Sequence, residues 1–102
     1  MAQTLGICVT TKNSFSHVIG IARAAKNAGK KAEIFFTGEG VHQSQLKEFT
    51  RLLEFAEVAI CEVSYISYGY KGIEIPGLGD KDFMTQAKNA EMVEECDRYI
   101  VL

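Results

Sequence analysis

The chain has 102 residues, 47% hydrophobic and 24% charged, with a formal net charge of -2. That is one domain's worth of sequence, 1–102, with the composition of a folded protein and room for a single core. The scattered Lys and Arg exclude the clustered basic face of a nucleic-acid binder, and no apolar run approaches the ~20 residues that cross a bilayer. The first residues lack the basic region of a signal peptide. Cys8, Cys61 and Cys96 are odd in number and far apart, so no disulfide framework is implied and a reducing cytoplasm is expected.

Residues 5–9 are a near-continuous apolar run, which predicts a strand covered on both faces. A polar loop follows, in which Asn13 or Ser14 can cap the next helix. That helix carries Phe15, Val18, Ile19, Ala22, Ala25 and Ala28 as one apolar stripe, and Gly29 is placed to end it in a left-handed conformation. Residues 32–37 read as the second strand and 38–42 as a loop. Ser44 then caps an expected helix with Leu46, Phe49, Leu52, Leu53 and Ala56 facing inward. The third strand, 58–61, is wholly apolar, and a short helical turn covers 64–68. Residues 70–81 carry the turn chemistry of Gly72, Pro76, Gly77 and Gly79 yet hold Ile73, Ile75 and Leu78, which fits a short strand at 72–75 or a subunit contact. Asp82 is positioned to cap a last helix with Phe83, Ala87, Ala90 and Val93 inward, and 98–102 close the chain as a strand.

Strands alternating with helices over short connections predict an α/β fold: a three-layer α/β/α sandwich with a mainly parallel sheet of four to five strands and flavodoxin-like topology. The expected order sets strand two on one side of strand one and strand three on the other. The ends of strands one and three then flank the switch point where open α/β sheets bind ligands.

Cys61 ends an apolar strand just before a helical turn, where free amides favour a thiolate. Lys12 is a candidate counter-charge, Thr11 and Ser14 offer hydroxyls, and His17 and His42 lie on the same side of the sheet, able to tune a thiolate or donate a proton. Glu62 opposes this, because a neighbouring carboxylate raises a thiol pKa. The plain alternatives are a small hydrophobe at Cys61 and surface histidines. Cys8 and Cys96 read as structural. Cys61, His17 and His42 are too loosely spaced for a metal site. Gly38-Glu39-Gly40 is no phosphate loop and Gly-x-Ser-x-Gly is absent, so no cofactor is expected. Tyr65, Tyr68 and Tyr70 read as packing at the sheet end or across an interface, with ligand stacking the weaker alternative.

Cys61-Glu62-Val63-Ser64-Tyr65-Ile66-Ser67-Tyr68-Gly69, following its strand, resembles the Cys-x-x-Ser-x-x-x-x-Gly signature of the DsrE/DsrF-like family. Residues 94–102 resemble that family's closing helix, Asp turn and last strand, and the opening strand, loop and Ala-rich helix are similar too. The resemblance implies a sulfur-relay domain of the TusD/DsrE type, found in the TusBCD and DsrEFH complexes. It further implies a homotrimer or hexamer, sulfur-donor and sulfur-acceptor proteins as partners, and sulfane sulfur carried as a persulfide on Cys61, a sulfurtransferase chemistry. Ser64 and Gly69 match the motif as binding or structural positions without a catalytic role. The Tyr-rich segment and the 72–80 loop depart from the pattern. The alternative is a non-catalytic oligomeric binding or assembly protein of the same fold, using the apolar loop that is awkward in a monomer. A thiol peroxidase ranks last, since residues 54–60 lack the Pro and Thr that peroxiredoxins place before their cysteine.

Overall fold

The apolar runs become strands as their composition demands. In the computed structural model, which describes residues 3–102, these are β1 (Thr4–Val9), β2 (Lys31–Phe36), β3 (Glu57–Cys61), β4 (Phe83–Met84) and β5 (Arg98–Val101). They pair in parallel in the order β4-β3-β2-β1-β5. The α-helices are α1 (Phe15–Asn27), α2 (Glu62–Ser67) and α3 (Gln86–Glu95). Helical layers on both faces of this sheet make an α/β sandwich of flavodoxin-like type.

The expected place of the third strand is corrected. β3 lies beside β2, with Phe36 opposite Ile60, and not beside β1. From β1 to β4 every step goes the same way across the sheet. Only the link through α3 returns, setting β5 against the free side of β1. Right-handed crossovers tie the direction of a step to the face it uses, so α1 and α3 cover opposite faces. The switch point therefore lies between β1 and β5, two strands away from Cys61.

Strand side chains alternate between these faces. On the α1 face Ile7, Val9, Ile34, Phe36, Val58 and Ile60 pack against Val18, Ile19 and Ala22, with Val41, Phe49 and Leu52 extending the cluster. On the α3 face Cys8, Phe35, Ala59 and Cys61 lie under Met92. α1 ends as expected: Gly29 has φ +75°, and the Lys30 and Gly29 amides donate back to the carbonyls of Ala25 (2.9 Å) and Lys26 (3.0 Å). Its start differs, because Ser14 sits at the cap position but makes no side-chain capping bond.

Two further helical expectations are corrected. The segment after β2 forms 3-10 turns, Gly38–Gln45 and Phe49–Glu54, in place of one α-helix from Ser44. Gly40 presses so close to the end of β1 that a Cβ there would sit 2.1 Å from the Val9 carbonyl oxygen. The Ser44 hydroxyl donates back to Val41 O (2.6 Å), and Leu46 is extended and 39% exposed. Phe49 and Leu52 stay buried, since a three-residue spacing suits a 3-10 turn. At α3 the cap is Thr85, whose hydroxyl accepts the Ala87 amide (3.2 Å). Asp82 instead accepts from the Gly79 amide (2.8 Å). Phe83 belongs to β4, and Ala87, Ala90 and Val93 are exposed. Polar contacts set this rotation. Lys88 pairs with Glu33 of β2 at 2.8 Å, and Tyr99 of β5 donates to Asn89 at 2.6 Å, so Met92 turns inward. Residues 73–75 run irregularly between two turns and form no strand, with Ile75 buried and Ile73 exposed.

Candidate active site around Cys61

Cys61 closes β3 and stands at the cap position of α2, on the α3 face of the sheet. It is 3% exposed. Its side chain makes no capping bond to α2, yet the Ser64 hydroxyl and amide lie near enough to favour charge on the sulfur. From the end of β2, Thr37 presents its hydroxyl. From the first position of α3, Gln86 Nε2 reaches Cys61 Sγ at 3.6 Å.

The bonds around these groups fix where their protons go. Ser64 Oγ accepts the Gly38 amide at 3.0 Å, and Thr37 Oγ1 accepts Gln86 Nε2 at 2.7 Å. Each hydroxyl thereby accepts from behind, which leaves its own proton free to turn toward the sulfur. Gln86 supplies one N–H to Thr37 and the other to the sulfur. The sulfur is ringed by donors that are themselves held in place, which suits a thiolate better than a thiol with a proton of its own to place.

The three thiols separate on this basis. Burial pushes Cys61 up, but the Ser64 hydroxyl and amide, then Thr37 and Gln86, outweigh it and hold its pKa below that of an ordinary thiol. Cys8 is raised by burial, only partly offset by the Tyr99 hydroxyl. Cys96 is raised by burial and then by the Glu33 carboxylate. Only Cys61 is poised as a nucleophile. The groups that favour charge on its sulfur are neutral, and the adjacent Glu62, which argues against a thiolate from sequence, is exposed to solvent that screens its charge.

Of the residues singled out from sequence, Ser64 alone joins Cys61. Lys12 is exposed in the loop after β1, and β2 separates that loop from β3. Ser14 accepts from Thr11 (3.0 Å) and Gln43 (2.9 Å), tying that loop to the first 3-10 segment. His17 is exposed on α1. His42 Nδ1 lies 2.6 Å from the Tyr70 hydroxyl, with its ring edge-on to Tyr68 at 4.3 Å between centroids. Thr37 and Gln86 carry no sequence signal of their own. Thr37 follows from reading β2 as the neighbour of β3. Gln86 follows only from β4, a two-residue strand that sets α3 beside Cys61.

No second thiol is within bonding reach of Cys61. Cys8 stands two strands away and two residues back in register, opposite Phe35, which faces Ala59. That is ~9.5 Å across and ~6.6 Å along the sheet, beyond the ~7 Å limit between Cα atoms of a disulfide. Cys96 packs over Gly6, further still towards the start of the strands.

On the opposite face of α2 a groove of ≈ 1090 Å³ runs between Tyr65, Ile66 and Phe83 and the 71–80 loop, with Glu62 at its rim. No helix among the described residues is long and apolar enough to cross a membrane. No family model matches the chain, and no curated protein matches it.

Proposed function

We propose that this protein is a sulfur carrier of the DsrE/DsrF-like kind, holding sulfane sulfur as a persulfide on Cys61. The observation that carries the reading is the ring of neutral donors converging on one depressed thiol from Ser64, Thr37 and Gln86. The Cys61 thiolate attacks the outer sulfur of a donor persulfide, R–S–SH. A Cys61–sulfur bond forms, the donor S–S bond breaks, and R–S⁻ leaves. A partner thiolate then attacks the outer sulfur of Cys61–S–SH and returns Cys61 as its thiolate. Both steps expel a thiolate, which needs no proton in order to leave. That suits a site lined by neutral donors and no charged acid. Reduction of a peroxide expels an oxygen anion and gains from an acid at that point, so the same lining favours sulfur exchange over peroxidase chemistry.

The reading puts the protein in a reducing cytoplasm, where its three free thiols persist, and as a homotrimer or hexamer that meets sulfur-donor and sulfur-acceptor proteins. Intact mass after exposure to a low-molecular-weight persulfide tests it. One added sulfur, lost in Cys61→Ser, is expected. No addition, or addition that survives Cys61→Ser, overturns it. The groove beside α2, with Val63, Ile66 and Ile73 exposed at 72%, 44% and 48%, supports a second reading: a non-catalytic oligomeric binding or assembly protein. Under that reading Cys61 takes no sulfur, and Ile73→Asp breaks an assembly seen by sedimentation.

A further inference from the structure

Cys61 presents a contradiction that its neighbours resolve. A sulfur that exchanges with another molecule must be reached, yet this one is 3% exposed. Beneath and beside it lie Phe35, Ala59, Met84 and Met92, all packed in the sheet and its helix layer. Thr37 and Ser64 are half-buried and held from behind. Gln86 differs from all of these. It is solvent-exposed, stands at the first turn of α3, and among the described residues has side-chain bonds only to Thr37 Oγ1 and Cys61 Sγ. Its side chain can leave through ordinary rotamer changes, with water replacing both bonds, while no packed group moves.

We infer that the Gln86 side chain is a retractable cover on Cys61: closed, it donates to the sulfur and shields it, and swung outward it admits the incoming sulfur along the path it vacates. The relevance of the cover to sulfur transfer rests on the carrier reading above, but its existence does not. In the closed state the thiol is activated but unreachable. In the open state it is reachable, and it loses one of its donors. The site thus trades acidity against access through one side chain. A persulfide on Cys61 occupies the vacated place with its outer sulfur, which keeps the cover open until the sulfur is passed on. Thr37 is the latch, because its hydroxyl is the firmer of the two bonds at 2.7 Å.

The test is the pH profile of Cys61 alkylation by iodoacetamide, with Cys61 resolved from Cys8 and Cys96 by peptide mass. The profile separates the pKa, which reads the donor, from the plateau rate of the thiolate, which reads access. Gln86→Ala is expected to raise the plateau about tenfold and to move the pKa upward. Thr37→Val, which leaves α3 intact and frees the latch, is expected to raise the plateau as well, and the double variant to gain no more than Gln86→Ala alone. Gln86→Glu has no N–H to give to Thr37 or to the sulfur and brings a carboxylate beside the thiolate, so its pKa is expected to rise furthest and its plateau to rise as in Gln86→Ala. An unchanged or lower plateau in both Gln86→Ala and Thr37→Val overturns the cover, as does full additivity in the double variant. A rise in Gln86→Ala alone points to fraying of α3 and also overturns it. No sulfur donor enters these measurements. A protein that takes no sulfur can still show the cover, and a carrier can lack it.

Discussion

The two faces of the sheet are built to different ends. The α1 face is filled by large side chains that lock ring on ring, Phe36 edge-on to Phe49 at 5.1 Å and Phe15 tilted against it at 6.4 Å. The α3 face holds Gly6, Cys8, Ala59 and Cys61, small groups under a single helix, with Phe35 and Met92 its only large fully buried side chains. Burial of apolar area scales with size, so the first face supplies most of the packing energy. The second face keeps room for an ion pair, a thiol and the polar groups of Ser64, Thr37 and Gln86. The candidate site lies where the packing is thin, and the thick face makes that affordable in stability.

The substitution that strains this contrast most is in the thick face. Phe49→Ala should cost ~3–5 kcal/mol, read as a shift in the urea midpoint, while Cys61 in the remaining folded protein keeps its alkylation profile. Met92→Ala on the other face should cost ~2 kcal/mol and, unlike the first, should speed alkylation of both Cys8 and Cys61. Equal effects of the two substitutions on thiol reactivity would erase the division between the faces. Ser64→Ala should cost only ~1 kcal/mol through the lost acceptor of the Gly38 amide. It should also raise the Cys61 pKa, slowing alkylation at neutral pH several-fold.

Alkaline pH sharpens the same contrast within one face. The folded pKa of Cys61 lies below that of the unfolded thiol. Its stabilising contribution is therefore complete above the unfolded value and is lost as pH falls through the folded one. Cys8 and Cys96 are raised, so the unfolded chain ionises first, and they withdraw stability as pH climbs past the unfolded thiol value. Urea midpoints from pH 7 to 10 should show Cys61→Ser falling behind the parent as pH rises, and Cys8→Ala gaining on it. Parallel curves would refute the opposite signs. The smallest expected effect is that of salt. With neutral groups favouring the thiolate and Glu62 out in solvent, the Cys61 alkylation rate should change by less than about 1.5-fold between 0.05 and 1 M salt, because screening acts on charges.

What is legible in the sequence follows from locality. The apolar runs at 5–9 and 58–61, the stripe of α1 from Phe15 to Ala25 and the glycine that ends it are each decided by residues a few positions apart and form as read, whereas Ala28, the last of the expected stripe, lies past the helix end and is exposed. The placement of Cys61 at a strand end before a helical turn is of the same kind. Strand order is not local. Runs buried on both faces pair equally well on either side of β1, so the pattern of apolar residues leaves the place of β3 open, and Lys12 and His17 are assigned to a site they do not reach. β4 is two residues long and leaves no period to detect, and without it nothing brings Gln86 to the sulfur. The phase of α3 misleads for a related reason. Ala87, Ala90 and Val93 make the more apolar stripe, but Lys88 and Asn89 have partners on Glu33 and Tyr99, and satisfied polar groups at a helix–sheet contact outweigh three small apolar ones.

The distance between Cys61 and the other two thiols has a consequence for stoichiometry. An oxidised Cys61 cannot form a disulfide with Cys8 or Cys96 of its own chain, so a disulfide or persulfide at this position holds a second molecule or a borrowed sulfur. On the carrier reading proposed above, its chemistry is bimolecular in both directions and first order in whatever arrives, and the protein is a meter as well as a vehicle: titrated against its supplier, it is expected to fill to one equivalent and stop.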